Sequence, residues 1–486
     1  MLQKNIELEQ RLAGELQTLA LPLRALIRNE PVVCREDQSV REAVAVMHAR
    51  GVGAVVVVDV DAKPVGIFTE RDLVAAVAGG QDDRIVSDLM TRAPLGLPAH
   101  AFAYEAAVIM ITNRIRHVLV TDEDRFIGVV SGRDLFSLQR LGLGELNAQI
   151  RLAGDVATLE NIAAEILKLT RLLVEQGVAA EQLTLYVSVL NDRLCQRVIE
   201  VVRKDYQWEQ ISWCWLGFGS EGRLEQTFST DQDNGIIFAA HDGTEPAAVR
   251  ARLLPFARAV NEALDTCGFR WCKGNVMASN PALCLSVEEW RAKMGGWLAN
   301  WEPQALLEAS IYFDFRALYG DTTLAAGLRE WVLARTPAYP AFLRQMAQNA
   351  LLARPALGTF RDFVTEDYPN APHRIDLKLY GVRLFVDTAR IYALAQGLPQ
   401  TNTVERLRAA GPATRMSAQD IEAMIDAFLA IQRLRLRHQA SQDALEDDTA
   451  NRIDPDKLNE MDRHTLKGAF RLARRLQQRL ALDYQL

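Results

Sequence analysis

Long apolar runs are missing from this chain of 486 residues. No stretch approaches the roughly 18 consecutive apolar residues that a membrane-crossing helix needs, so no membrane association is expected. A basic excess is missing too: 55 Lys and Arg stand against 62 Asp and Glu, a formal charge of −7. A general nucleic-acid binder carries the opposite balance, so no nucleic-acid partner is expected either. The six cysteines, Cys34, Cys195, Cys214, Cys267, Cys272 and Cys284, form no framework of pairs. Cys267 and Cys272 lack the second Cys/His pair that a structural zinc site requires. The first ten residues are too acidic and polar for a secretory signal. Scattered thiols in apolar company fit a reducing compartment, and the expected location is cytoplasmic.

What is present is enough for about three domains. Residues 1–27 carry Ile6, Leu8, Leu12, Leu16 and Leu19 at near-helical spacing, which predicts a leading helix. Residues 28–140 then repeat with a period of about 62 residues. The first copy runs Ser39-Val-Arg-Glu-Ala-Val-Ala-Val-Met47, Gly51-Val-Gly-Ala-Val-Val-Val-Val-Asp59 and Gly66-Ile-Phe-Thr-Glu-Arg-Asp-Leu73. The second runs Ala103-Tyr-Glu-Ala-Ala-Val-Ile-Met110, Ile115-Arg-His-Val-Leu-Val-Thr-Asp122 and Gly128-Val-Val-Ser-Gly-Arg-Asp-Leu135. Glu42 aligns with Glu105, Met47 with Met110 and Asp72 with Asp134. Each copy reads strand, helix, strand, strand, helix, with the all-apolar Ala54–Val58 a strand buried on both faces. This pattern resembles a tandem CBS domain pair. The resemblance implies an adenine nucleotide (AMP, ADP or ATP) held by Thr69, Arg71 and Asp72 in one copy and by Ser131, Arg133 and Asp134 in the other. It also implies a homodimer. Asp72 and Asp134 could equally serve as helix caps.

Residues 141–210 are rich in Leu, Ile and Ala. Two helical stripes, Ile162 to Leu173 and Val187 to Val201, are separated at Gly177-Val-Ala-Ala180. They predict a helical connector that brackets the sheet of residues 211–320.

The chemistry concentrates in residues 211–320. An apolar strand, Ile211–Leu216, breaks at Gly217-Phe-Gly-Ser220, where glycine permits a tight turn and close approach of a ligand. A short helix from Glu221 aims backbone N–H groups at that turn, a seat for phosphate. The chain re-extends through Asp231-Gln232-Asp233 into Asn234–Ala239. Side chains two apart on a strand share a face, so Asp231 and Asp233 should sit side by side. Two neighbouring carboxylates remain ionised together only around a cation, and oxygen ligands beside a phosphate cradle suit Mg²⁺. The implied chemistry is metal-assisted nucleotidyl transfer.

The string Gly219-Ser-Glu-Gly-Arg-x-Glu-Gln-Thr-x-x-Thr-Asp-Gln-Asp-Asn234 resembles the DNA polymerase beta-type nucleotidyltransferase superfamily. Within it, the string resembles the CBS-linked nucleotidyltransferases related to the PII uridylyltransferases. The resemblance implies Asp231 and Asp233 as catalytic metal ligands, an NTP substrate (UTP or ATP) on Gly219 and Ser220, and a signalling-protein acceptor. Arg223 and Lys273 become candidate triphosphate contacts. The superfamily commonly adds a third carboxylate from a later strand. No acidic residue stands in the expected strand Phe269–Lys273, which leaves Glu225 and Asp314 as substitutes.

Residues 321–486 read as helices: Thr323–Ala334, Tyr339–Leu352, Ile375–Gln396, Asn402–Ala409, Ala418–His438 and Asp462–Leu482. Ala440–Pro455 reads as a polar loop. Ile375–Arg383 resembles the substrate-binding half of the same family, which implies Lys378 facing the nucleotide. The expected architecture is α+β and multidomain: CBS domain pair, polymerase beta-type nucleotidyltransferase core, C-terminal helical bundle. The expected function is nucleotidyl transfer regulated by the CBS pair, the alternative being a catalytically silent nucleotide-binding regulatory module.

Overall fold

The computed structural model describes residues 22–27, 31–61, 63–78, 83–113, 115–123, 125–132, 142–175, 177–206, 211–228, 231–240, 244–358, 362–368, 371–441 and 449–486. The chain divides into two compact units, residues 1–147 and 148–486. The leading helix expected before residue 22 lies outside the described residues.

The first unit contains the duplication. One repeat comprises β1 (Val33–Arg35), α1 (Val40–Arg50), β2 (Ala54–Val58), β3 (Pro64–Thr69), α2 (Glu70–Ala78) and β4 (Thr91–Arg92). The other comprises β5 (Gly96–Pro98), α3 (Ala103–Asn113), β6 (His117–Asp122) and β7 (Arg125–Ser131). The sheets run β1-β2-β3-β4 and β5-β6-β7. In both, a parallel pair is followed by an antiparallel one. The aligned glutamates are helix-start residues: Glu42 accepts the Ser39 amide at 2.7 Å and Glu105 accepts the Phe102 amide at 2.8 Å. Strand alternation divides β2 between two cores. Val55 and Val57 pack with Met47 and Phe68 inside the first repeat, while Val56 and Val58 pack with Ile67 and Leu119 between the repeats.

One local expectation fails here. Leu23–Ala25 is a short 3-10 turn, and Leu23 and Leu26 belong to the core of the second repeat, against Ala103, Val118 and Val130. The Leu23 amide bonds the Ala101 carbonyl at 2.7 Å. Residues ahead of the first repeat thus complete the second.

Helix α4 (Gly142–Leu152) runs across the division at residue 147, and the second unit continues with the two expected helices α5 (Val156–Glu175) and α6 (Ala180–Arg203). The sheet has the order β10-β9-β8-β11, built from β8 (Trp213–Gly217), β9 (Asn234–Phe238), β10 (Cys284–Ser286) and β11 (Arg316–Gly320). Around it lie the one-turn α7 (Gly219–Gly222), α8 (Pro246–Thr266), α9 (Val287–Ala299) and α10 (Pro303–Tyr312). The expected strand at Phe269–Lys273 is absent; a single bridge between Asp231 and Arg270 stands in its place. The strand beside β9 is instead β10, in parallel register from Cys284/Ile236 to Ser286/Phe238.

Further on come α11 (Thr322–Arg335), α12 (Pro340–Ala350), α13 (Arg383–Ala395), α14 (Thr403–Ala410), α15 (Ala418–Ala440) and α16 (Glu460–Asp483). The expected helix Ile375–Gln396 is shorter at its start. Ile375 lies in β13 (Ala371–Asp376), paired with β12 (Glu366–Tyr368) and β14 (Arg452–Ile453), and a π-turn over Lys378–Val382 precedes α13. Strand pairing satisfies the backbone of β13 from both sides and overrides its helical neighbours. One apolar core runs from Leu216 and Phe218 on the sheet side to Phe385, Phe428 and Phe470 on these helices. Residues 148–486, α5 and α6 included, form one compact unit.

Candidate active site

The sheet register builds the site. Gly217 of β8 stands opposite Asn234 of β9, and the Phe218 amide donates to the Asp233 carbonyl at 2.8 Å. The Gly219-Ser220 turn and the Asp-Gln-Asp run are thus neighbours at one strand end. Gly219 has φ +56°, and a Cβ built on it would lie 3.1 Å from Asp233 Oδ2. Any larger residue would strain the turn and crowd the carboxylate, so glycine is required on both counts.

The interleaved amides set the direction of the acids. Gln232 is buried, donating through Nε2 to the carbonyls of Asn261 (2.9 Å) and Phe269 (2.8 Å). Asn261 Nδ2 donates to Gln232 Oε1 at 2.7 Å and to Asn234 Oδ1 at 3.0 Å. The Ala278 amide donates to the same Asn234 oxygen at 2.8 Å. Gln232 and Asn234 therefore point together into α8, and alternation sends Asp231 and Asp233 to the opposite side. Asp231 is exposed and has no hydrogen-bond or ion-pair partner among the described residues. Asp233 is half-buried. Burial pushes its carboxyl up to about 6, opposed by the Lys378 charge and by a hydrogen bond from the Cys272 thiol, and reinforced by Asp231.

Two further expectations change. Glu225 and Asp314 are not third ligands; both are sunk in ion pairs. Arg223 Nε meets Glu225 at 2.8 Å and its Nη1 meets Asp314 at 2.8 Å. Asp314, fully buried, also pairs with Arg390 and Arg406, each at 2.7 Å. Burial raises its pKa, but those three guanidiniums win and hold it well below the usual carboxylate range. Glu225 accepts the Thr403 amide at 2.6 Å, and Asn402 Nδ2 donates to the Arg223 carbonyl at 3.2 Å. The Gly-Arg-x-Glu part of the motif thus clamps α14 to the sheet. Arg223, with two nitrogens committed to carboxylates, acts on the site through its field, lowering Asp233 and Lys378.

Among the described residues, no group of three or more His, Cys, Asp or Glu is arranged to hold a metal ion. The two aspartates still fit Mg²⁺: both are hard oxygen donors on one side, and the Gly219 cradle leaves room against Asp233. Lys378, at the head of the π-turn, has solvent-accessible surface, yet the surrounding protein and Arg435 lower its pKa while Asp233 and Asp231 raise it. Lys273 is exposed in the 272–280 loop. Sequence reasoning missed Cys272 and Glu221. Burial lifts the Glu221 carboxyl to about 8, Arg316 opposing and Asp192 and Asp233 adding to the rise. Only the Ser-Glu-Gly spacing beside a buried strand could have signalled it.

In the first unit, Thr69 directly precedes α2, and Asp72 Oδ2 accepts its amide at 2.9 Å and its hydroxyl at 2.8 Å. Arg71 is exposed. Ser131 ends β7 opposite His117, as Thr69 ends β3 opposite Ala54. Arg133 and Asp134 lie outside the described residues.

Three family models match the chain. Residues 23–79 and 86–140 match "CBS domain", residues 164–304 match "Putative nucleotidyltransferase DUF294", and residues 340–484 match "Putative nucleotidyltransferase substrate binding domain". Among curated proteins, an uncharacterized 17.7 kDa protein of Acidianus ambivalens is 30% identical over 118 residues, 24% of this chain and 72% of that one. An uncharacterized protein of Methanopyrus kandleri is 32% identical over 97 residues, 19% of this chain and 50% of that one. Among solved structures, a CBS-domain protein of Agrobacterium tumefaciens is 35% identical, with a TM-score of 0.24, covering 25% of this chain and 96% of that one. A CBS domain protein of Pyrobaculum aerophilum, complexed with AMP, is 28% identical, with a TM-score of 0.24, covering 26% and 99%. No helix among the described residues is long and apolar enough to cross a membrane. With repeats, acid pair and helical partner all in matching order, the chain belongs to the CBS-bearing DUF294 nucleotidyltransferase family.

Proposed function

We propose that the second unit is a Mg²⁺-dependent nucleotidyltransferase moving UMP or AMP from UTP or ATP to a hydroxyl of a signalling-protein acceptor. The observation that carries this reading is Asp233 against the Gly219 turn with Gln232 turned away to Asn261, from which alternation puts Asp231 on the side of Asp233. Asp231 and Asp233 would hold the ion. When bound, Mg²⁺ neutralises phosphate charge and so makes the α-phosphorus easier to attack. Gly219 and Ser220 offer first-turn amides to the triphosphate, and Lys378 and Lys273 add positive charge. The acceptor oxygen bonds to the α-phosphorus as the bridging bond to the β-phosphate breaks. Pyrophosphate leaves with that electron pair, and the hydroxyl proton passes to solvent.

The test is labelled UTP and ATP incubated with cell extract and the full chain. Label should enter one acceptor with wild type and not with D231N/D233N; equal labelling by both overturns the reading. A second reading, a silent nucleotide-binding module, is favoured by the lack of a third carboxylate among the described residues. It predicts Mg²⁺-dependent NTP binding without release of pyrophosphate for any acceptor.

The CBS pair, in a cytoplasmic homodimer, would bind an adenine nucleotide through Thr69, Arg71 and Asp72 and through Ser131, Arg133 and Asp134, and so regulate transfer. Support comes from the matching strand-end positions of Thr69 and Ser131. Titration of the full chain with AMP and ATP should give heat that D72A reduces; none with wild type removes this part.

A further inference from the structure

Resting on the transferase reading, a second cation beside Lys378 has no role in it so far. Arg435 of α15 is buried, 5% exposed, yet no carboxylate pairs with it among the described residues. Its Nε donates to Asn451 Oδ1 at 2.9 Å and its Nη1 to Gln432 Oε1 at 2.7 Å. Nη2 has no partner among the described residues, and it is not among the buried polar atoms left without one. Asp376 and Glu225 favour the Arg435 charge from beyond ion-pair distance and Arg223 opposes it; a buried guanidinium whose direct partners are all neutral is costly unless an anion completes it.

Two links join Arg435 to the active site. Asn451 holds Arg435 with its side chain and accepts the amide of Leu377, the residue before Lys378, at 2.8 Å with its carbonyl. The π-turn after Lys378 rests on the same face of α15: a Cβ on Gly381 would lie 2.9 Å from Ile431 Cγ2, and Ile431 is one turn before Arg435. The Arg435 charge acts on Lys378, as do those of Asp233 and Asp231.

We infer that Arg435 is a positioning residue for the substrate's polyphosphate: with Lys378 it holds the β- and γ-phosphates, the pyrophosphate that leaves, across from the Asp231/Asp233 pair. Planar guanidinium donors suit two phosphate oxygens at once, which a neutral or smaller side chain does not replace.

The experiment titrates the full chain, in Mg²⁺, with inorganic pyrophosphate, with UTP and with UMP, for wild type, R435M, R435K and D231N/D233N. R435M should weaken pyrophosphate and UTP at least 10-fold while UMP changes less than 2-fold. R435K should fall between, at an unchanged melting temperature. A purely structural role would weaken all three ligands alike, and that outcome overturns the inference. Should R435M fail to fold, R435K decides: a loss of 3-fold or more for pyrophosphate supports the inference, and wild-type affinity overturns it. If D231N/D233N binds pyrophosphate as wild type does, the transferase reading fails. If that variant loses binding and both Arg435 variants keep it, only this inference fails.

Discussion

Two sets of carboxylates in the second unit live in opposite surroundings. Glu225 and Asp314 are buried among Arg223, Arg390 and Arg406, with ion-pair contacts at 2.7–2.8 Å. Among the described residues, Asp231 and Asp233 have no ion-pair partner, and the thiol of Cys272 is the one side chain that donates to either. The first set has spent its charge on joining the sheet to α13 and α14. The second keeps its charge for something not supplied by the chain. An acid's role is therefore read from who neutralises it rather than from its place in a motif, since Glu225 and Asp233 belong to the same motif.

The sharpest way to break this contrast is Asp314→Ala. Removing it leaves three buried guanidiniums without their shared partner, and the loss should be about 3–5 kcal/mol by chemical denaturation. A loss below about 1 kcal/mol would mean the cluster is not the joint described. D233N should do the reverse: labelled-nucleotide transfer falls at least ~100-fold, with a melting temperature equal to or above wild type. A collapse in stability would place Asp233 in the structural set.

A smaller effect tests the electrostatics. With its folded pKa raised to about 6, Asp233 binds its proton more tightly folded than unfolded. In metal-free protein this adds stability below about pH 4 that fades as pH rises through 6, on the order of 1–2 kcal/mol. D233N should flatten that slope, and Mg²⁺-dependent UTP binding should strengthen over the same window as the carboxylate ionises. Glu221, lifted to about 8, should by the same sign show stability fading from about pH 5 up through 8, absent in E221Q. The smallest effect belongs to the first unit: D72A removes a helix-start acceptor and should cost about 1 kcal/mol.

Much of this was legible beforehand, for reasons that are local. Strand alternation alone placed Asp231 beside Asp233, because the intervening Gln232 had a polar pocket to fill at Asn261. The helices from Thr322 to Asp483 follow apolar spacing and end within a few residues of where it predicts. Distant pairing was not legible. Nothing in Ile375-Asp376 announces strands at Glu366–Tyr368 and Arg452–Ile453 on either side. Nothing in Arg223 announces a partner at 314, and nothing in Asp314 announces further partners at 390 and 406. The Phe269–Lys273 segment had strand composition but met only Asp231, at a single bridge.

Leu23 and Leu26 carry a practical consequence for anyone trimming the first unit. Because they seal the apolar floor of the repeat that starts some 70 residues later, a fragment beginning at residue 31 would retain every residue of that repeat and still expose its underside. Such a truncation should aggregate or bind hydrophobic dyes, whereas one starting at residue 22 keeps the buckle closed.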